Sequence, residues 1–395
     1  MYLTLNKWLG FFACKKLSLP QFINKGKVRK SNGDLVSLKE IIEEKDIPDS
    51  IVTIFYELFV KQKEKYLTNF YNRSLRISQK KLTQLCINND KYKEHKNVVR
   101  NLYFKEILLE TGTIQPNLRN FLDVIIDLFK HQIIDYKLVT PSSIKLISKR
   151  KLSNILSGLY FRSSIMNPLI PYTLSSHLDY KFKVLTPTLG WSSYLLGMIE
   201  NKNLEEYVGI DVINKVCKNT AKLSNKNNIK NDIYCVPSED LYKDTRFMSK
   251  YTSYFDFIFF SPPYFQLELY KGNRQSTERY RTYEEWLDGY WKNTIKLCYS
   301  CLKKHRLMIY IVSGYTSKNK YINLEKDMNT ITKSEGFNFI KKLHMVGNNV
   351  GFTKHRQSKE TIFVFSKGKI NNNQSRKLTK YFKQINKCNK KTKRK

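Results

Sequence analysis

Four consecutive residues, Ser261-Pro262-Pro263-Tyr264, bring together a hydroxyl, a pair of carbonyls and an aromatic face. They follow Asp256-Phe257-Ile258-Phe259-Phe260, an apolar run that reads as a buried strand. Two prolines directly after a strand stop its ladder and fix the backbone, so the carbonyls around them are not taken up by a following helix. The Ser261 hydroxyl and the Pro262 carbonyl then make two acceptors suited to an NH2 group, and Tyr264 supplies a π-face. An amine acceptor pair beside an aromatic platform is what holding an extruded base requires.

Three other strand ends carry polar residues. The first is Thr186-Pro187-Thr188-Leu189-Gly190-Trp191-Ser192-Ser193. Gly190 allows a sharp turn and close approach to a ligand, and the two serines open a helix with free amides. The pattern is not G-x-G-x-x-G, which disfavours a dinucleotide. The second is Gly209-Ile210-Asp211, about twenty residues further on, where the acid suits a ribose diol or the N-cap of the next helix. The third is Pro237-Ser238-Glu239-Asp240-Leu241, where an acid suits the amino group of an adenine or simply lies in a solvated turn.

These ends need a scaffold. Lys183–Thr186, Tyr207–Ile210, Ile233–Val236, Phe255–Phe260, Leu307–Val312 and Thr361–Phe365 read as strands, with Ser193–Ile199 and Val212–Ser224 as crossover helices. The alternation predicts a doubly wound α/β sheet, and His344–Val350 with Thr361–Phe365 predicts a terminal antiparallel hairpin. Residues 1–151 show no alternating strands and repeat apolar residues three and four apart over Ile51–Lys61, Val98–Glu110 and Asn120–Lys130. They read as a basic, mainly helical region. The predicted division is therefore 1–151, a sheet domain over 152–368, and a basic tail over 369–395 that holds eleven Lys and Arg with no acid and is expected to be disordered.

The chain of 395 residues carries 70 Lys and Arg against 34 Asp and Glu, a formal charge of +36. A field of that sign favours a polyanion, with nucleic acid ahead of an anionic membrane. No stretch reads as a secretion signal or membrane anchor, which predicts an intracellular protein with reduced cysteines. The pair Cys298 and Cys301 lies on a predicted helix and reads as two buried side chains rather than as a metal site. No metal ligand set is expected.

The order of these segments resembles the S-adenosylmethionine-dependent amino-methyltransferases of nucleic acids, whose catalytic motif is Asp, Asn or Ser followed by Pro-Pro-Tyr or Pro-Pro-Phe. Ser261–Tyr264 matches it throughout, and the likeness runs from Phe182 to about Gly368. It implies a Rossmann-like sheet, S-adenosylmethionine as cofactor, and methyl transfer to a flipped base in DNA. It implies catalytic roles for Ser261, Pro262, Pro263 and Tyr264, and cofactor contacts from Thr186, Pro187, Thr188, Gly190, Asp211 and Glu239 or Asp240. Thr186-Pro187 departs from the family's usual Phe-x-Gly-x-Gly or Asp-Pro at the first loop. A leading Ser leans the expectation to cytosine N4 over adenine N6. RNA as substrate, for example an adenosine next to a cap, and a catalytically silent nucleic-acid-binding relative are the alternatives. After the motif, basic residues interleave with aromatics, and Arg274, Arg279 and Arg281 are expected on nucleic acid with Lys354 and Arg356.

Overall fold

The computed structural model describes residues 17–61, 81–88, 91–103, 106–107, 111–112, 121–148, 159–160, 163–267, 269–270, 274–317, 320–345 and 360–391. The chain forms two compact units, one from Met1–Leu75 with Tyr103–Ser163 and one from Arg76–Leu102 with Ser164–Lys395.

The first unit packs short helices around Phe22, Val52, Phe55, Leu128 and Phe129. It is not helical throughout. Lys27–Arg29 pairs antiparallel with Leu35–Ser37 and parallel with Ile133–Asp135. This corrects the expectation of no strands before residue 150. The signal was present in Asn32-Gly33, a hairpin dipeptide, and Gly33 adopts φ 99°. The flanking strands are only three residues long, too short to show alternation.

In the second unit a seven-stranded sheet is built from β1 (Phe182–Thr186), β2 (Leu204–Ile210), β3 (Lys230–Tyr234), β4 (Phe255–Phe260), β5 (Leu302–Val312), β6 (Phe337–His344) and β7 (Thr361–Lys367). Its order is 6-7-5-4-1-2-3. β1 to β5 are parallel, and β7 runs antiparallel between β5 and β6. This is a doubly wound sheet with a terminal antiparallel pair, as expected; the strand paired with β7 at the edge is Phe337–His344, and residues 346–350 of the expected first strand lie outside the described residues. β3 ends at Tyr234, so Cys235–Pro237 belongs to the turn after it.

The strand order reverses between β1 and β4, because the chain builds β2 and β3 on one side of β1 and then returns to the other. At such a switch point the two diverging crossovers leave a crevice outside the carboxyl ends of the strands. β4 is the central element, with all six residues buried. Its one acid, Asp256, is satisfied there: it accepts from the Lys183 amide at 3.1 Å and pairs with Lys303 Nζ at 2.9 Å.

Five helices matter for the site: α1 (Leu169–Ser175), α2 (Ser193–Met198), α3 (Asn214–Lys226), α4 (Ser238–Leu241) and α5 (Asn293–Cys301). Residues 81–91 join α1 through Thr173, whose hydroxyl accepts from the Cys86 amide and donates to its carbonyl, and through Asn167, which donates to the Lys91 carbonyl. Cys298 and Cys301 are buried in α5, and burial pushes the Cys301 thiol up to about 12.

The segment expected to be a disordered tail is instead a helix, α6 (Asn372–Lys391). Asn371 caps it reciprocally with Gln374. Leu378, Phe382 and Ile385, spaced four and three apart, are buried, and Tyr381 donates to the Thr173 carbonyl of α1. The apolar stripe was present in the sequence but sits among so many cations that composition masked it.

Candidate active site

A single cleft gathers the carboxyl ends of β1, β2, β3 and β4. The loop after β1 shapes one wall. Gly190, Trp191 and Ser192 hold φ values of 51°, 57° and 61°, three left-handed residues in a row. Such backbone costs energy for a non-glycine residue and survives only where its surroundings enforce it. Here Asp211 does so: one carboxylate oxygen accepts from the Leu189 amide at 3.1 Å, and the other from the Ile213 amide at 3.0 Å. A Cβ at Gly190 would lie 2.3 Å from the ring of Tyr194, and one at Gly209 would lie 2.3 Å from Leu189. Both glycines are therefore dictated by close packing of the loop.

Asp211 is not the side-chain cap of α3, whose N-cap is Ile213 with no side-chain bond. Burial raises its carboxyl pKa, and its bonds from the Ile213 and Leu189 amides oppose that rise. A carboxylate offers about four acceptor positions, so two backbone bonds leave capacity for a diol. Thr186 behaves differently from the expectation. It is fully buried and its hydroxyl donates to Tyr207 at 2.8 Å. Since it is the last residue of a strand covered on both faces, it points inward, whereas Pro187 and Thr188 line the cleft.

At the third strand end, Glu239 and Asp240 part company. Glu239 is 4% exposed and lines the cleft. Burial pushes its carboxyl up to about 7, against the opposing pull of Arg279. Asp240 is largely exposed and does not line the cleft. Arg279 bridges the two acids at 2.7 Å each. The guanidinium expected on nucleic acid is thus bound to this chain's own carboxylates. Arg274 donates to the Cys235 carbonyl at 3.1 Å and lines the same wall, and Arg281 lies exposed at the surface. Lys354 and Arg356 lie outside the described residues.

The turn after β4 is held on every side. The Ser261 amide donates to the Tyr194 hydroxyl at 3.0 Å, and its carbonyl accepts from the Thr188 hydroxyl at 3.0 Å. Its hydroxyl donates to the Ile311 carbonyl of β5 at 2.9 Å, which leaves the oxygen facing other partners as an acceptor. Tyr264 stacks on Tyr315 at 5.7 Å, and its hydroxyl meets the amide and hydroxyl of Ser313 at 2.8 and 3.0 Å. Ser261, Pro262, Pro263 and Tyr264 all line the cleft.

Several lining residues carried no signal in the sequence. Tyr194 lies four residues after Gly190, on the turn of α2 facing the loop, and its ring packs edge-on against Phe259 at 5.0 Å. Trp191 packs edge-on against Tyr270 at 5.7 Å. Gln275, Ser276 and Tyr290 complete the wall on the β3 side. Only the fold brings these distant positions together.

The donors fit an adenosine-type cofactor. An acid with spare acceptor capacity stands at the end of β2, a second buried acid at the end of β3, and the aliphatic Ile213 and Val236 line the wall between them.

Residues 255–395 match the family model described as DNA methylase, that of the N6 and N4 amino-methyltransferases. No curated protein matches the sequence. Among solved structures, the chain is similar to the [4+2]-cyclase SpnF, with 11% identity over 52% of this chain and 81% of that one, at a TM-score of 0.37. It is similar to TrmN from Thermus thermophilus, with 13% identity over 51% of this chain and 48% of that one, at a TM-score of 0.32. A third is a Burkholderia thailandensis 1,6-didemethyltoxoflavin-N1-methyltransferase solved with S-adenosylhomocysteine, with 10% identity over 50% and 76% at a TM-score of 0.32. Likenesses this loose do not bear on the choice of substrate.

Proposed function

We propose, for a chain whose residues 255–395 match the family model of the N6 and N4 DNA methylases, that it methylates the exocyclic amine of a base flipped out of DNA. The observation that carries this reading is the anchored Ser261–Tyr264 turn at the switch point of the sheet. When bound, S-adenosylmethionine supplies an electrophilic methyl group on a sulfonium. The protein's share is position. Asp211 takes the ribose hydroxyls while it fixes the Gly190 loop. Glu239 accepts the amine of the cofactor's heterocycle. Val212, Ile213 and Val236 give that ring apolar walls.

On the substrate side, Tyr264 presents a ring whose tilt is set by Tyr315 and Ser313. The base stacks there, and the Ser261 hydroxyl and Pro262 carbonyl accept the two hydrogens of its amine. Those bonds draw density toward nitrogen and aim its lone pair, so that one N–C bond forms as the methyl–sulfur bond breaks and a proton is then lost to solvent. Fixed dipoles and orientation supply the rate, since neither covalent nor metal help is needed for this displacement.

The formal charge of +36 supports a polyanionic partner. The leading Ser of the motif favours cytosine over adenine by resemblance, and the basic region of residues 1–151 is assigned to target binding. Parallel transfer of labelled methyl groups to double-stranded DNA and to RNA, followed by nucleoside digestion, tests the reading. N4-methylcytosine or N6-methyladenine in DNA is the expected product. Labelling of RNA alone would replace DNA as the substrate, and labelling of neither would overturn it.

A further inference from the structure

Tyr290 is the one described residue that both lines the cleft and buries a hydroxyl with no hydrogen-bond partner. It is 3% exposed. Buried phenols almost always find a partner, and leaving one unmade costs the full desolvation of the group. The hydroxyl therefore either represents a tolerated defect or awaits something that enters the cleft. Two features favour the second. Tyr290 lies in Leu287–Lys292, a π-helical turn leading into α5; such turns are rare and often sit at functional sites. Its neighbourhood is also the cofactor side, since the turn that carries it packs against α4, the helix that holds Glu239.

We propose that the Tyr290 hydroxyl donates a hydrogen bond to N1 of the bound adenine, the ring nitrogen beside the amine that Glu239 accepts. This rests on the reading of the cleft as an S-adenosylmethionine site. An adenine edge presents an amine donor next to a ring-nitrogen acceptor, and an acid beside a phenol presents the complementary acceptor and donor. Burial and the Glu239 charge hold the phenol pKa far above its usual value, so it remains a donor at any working pH. Guanine, with a carbonyl and a ring N–H on the same edge, would meet like against like, so the pair would also select the cofactor's base.

The test uses the full chain and S-adenosylhomocysteine in titration calorimetry, with Tyr290→Phe alongside wild type. The variant should bind at least tenfold more weakly. Without ligand it should melt at the same temperature or a few degrees higher, because it loses an unsatisfied hydroxyl. A group that serves only the fold would behave in the opposite way, with a lower melting temperature and unchanged affinity. S-inosylhomocysteine is the second ligand, because its N1 carries a hydrogen and cannot accept. The penalty of Tyr290→Phe should shrink to less than twofold with that ligand. Equal affinity of the two proteins for S-adenosylhomocysteine, or an undiminished penalty with the inosyl analogue, overturns the proposal. If wild type itself binds no S-adenosylhomocysteine, the cofactor reading fails first, and the proposal with it.

Discussion

The cleft and the helix α6 belong to one compact unit and use charge in opposite ways. The cleft holds acids and neutral hydroxyls with one arginine, Arg274, most of them buried or half-buried, and several are bonded to defined partners. The helix carries seven Lys and Arg and no acid over Asn372–Lys391, and Arg376, Lys377, Lys380 and Lys383 are exposed. In the first region a single atom decides whether a neighbour stays in place, because most of the bonds are partly shielded from water. In the second, each charge contributes little and the sum matters. One substitution should therefore cripple the cleft, whereas the helix should yield only to several at once.

The largest effect is expected at the Ser261–Tyr264 turn, proposed above as catalytic. Tyr264→Ala removes the stacking platform, and Ser261→Ala removes an acceptor and the bond to Ile311. Each should lower the turnover of methyl transfer by roughly 10²–10³-fold, the size of losing one preorganised contact, while nucleic-acid affinity survives. Full activity in both variants would break the assignment. Next comes Asp211→Ala, which frees the Leu189 and Ile213 amides and loses the diol acceptor together. Its loss should appear as cofactor affinity, by roughly a hundredfold or more for a charged buried partner, read by calorimetry.

Tyr194→Phe sharpens the contrast because its hydroxyl acts through the Ser261 amide. It removes the acceptor of the half-buried Ser261 amide, at a cost of about 1 kcal/mol, and lets the turn drift. Turnover should fall about tenfold for a displaced reacting group, with cofactor affinity little changed. A loss confined to affinity would show that Tyr194 serves the cofactor loop alone.

Much of this was legible in the residues, and unevenly so. β4 and its Pro-Pro turn were read to the residue, because a fully buried parallel strand is a continuous apolar run and proline ends it. Asp211 and Glu239 were picked out at the strand ends, and both line the cleft. Thr186 and Asp240 were misplaced by one residue's worth of geometry: adjacent side chains point in different directions, and sequence spacing alone does not say which faces the cleft. Arg279 shows the same limit, because a basic residue among aromatics looks identical whether it meets phosphate or a carboxylate of its own chain. α6 was lost because its three core residues are outnumbered by cations.

On the helix side, reversing Lys377, Lys380 and Lys383 to Glu leaves the buried stripe of Leu378, Phe382 and Ile385 intact. If this face contacts phosphates, nucleic-acid binding should weaken about tenfold or more near physiological salt, and the salt dependence should flatten by about 0.9 per lost contact. Each single reversal should do much less. An unchanged salt slope in the triple variant would confine nucleic-acid contact to other basic surface.

The smallest expected effect returns to the cleft and depends on pH. Burial holds the Glu239 carboxyl at about 7 in the folded chain, against an ordinary value of 4.5. For an acid shifted upward, the neutral form is the one the fold prefers. Its contribution to stability is complete below about 4.5 and is lost as pH rises through about 7. Cofactor binding runs the other way, because the carboxylate accepts an amine more strongly than the protonated acid, which keeps only its carbonyl oxygen as a strong acceptor. Affinity for S-adenosylhomocysteine should fall by roughly several-fold between about pH 8 and pH 6 as the group protonates, while stability without ligand gains slightly over the same interval. Glu239→Gln should flatten both trends. It should also leave Arg279 with Asp240 alone, so the two acids that share one guanidinium become separable by titration.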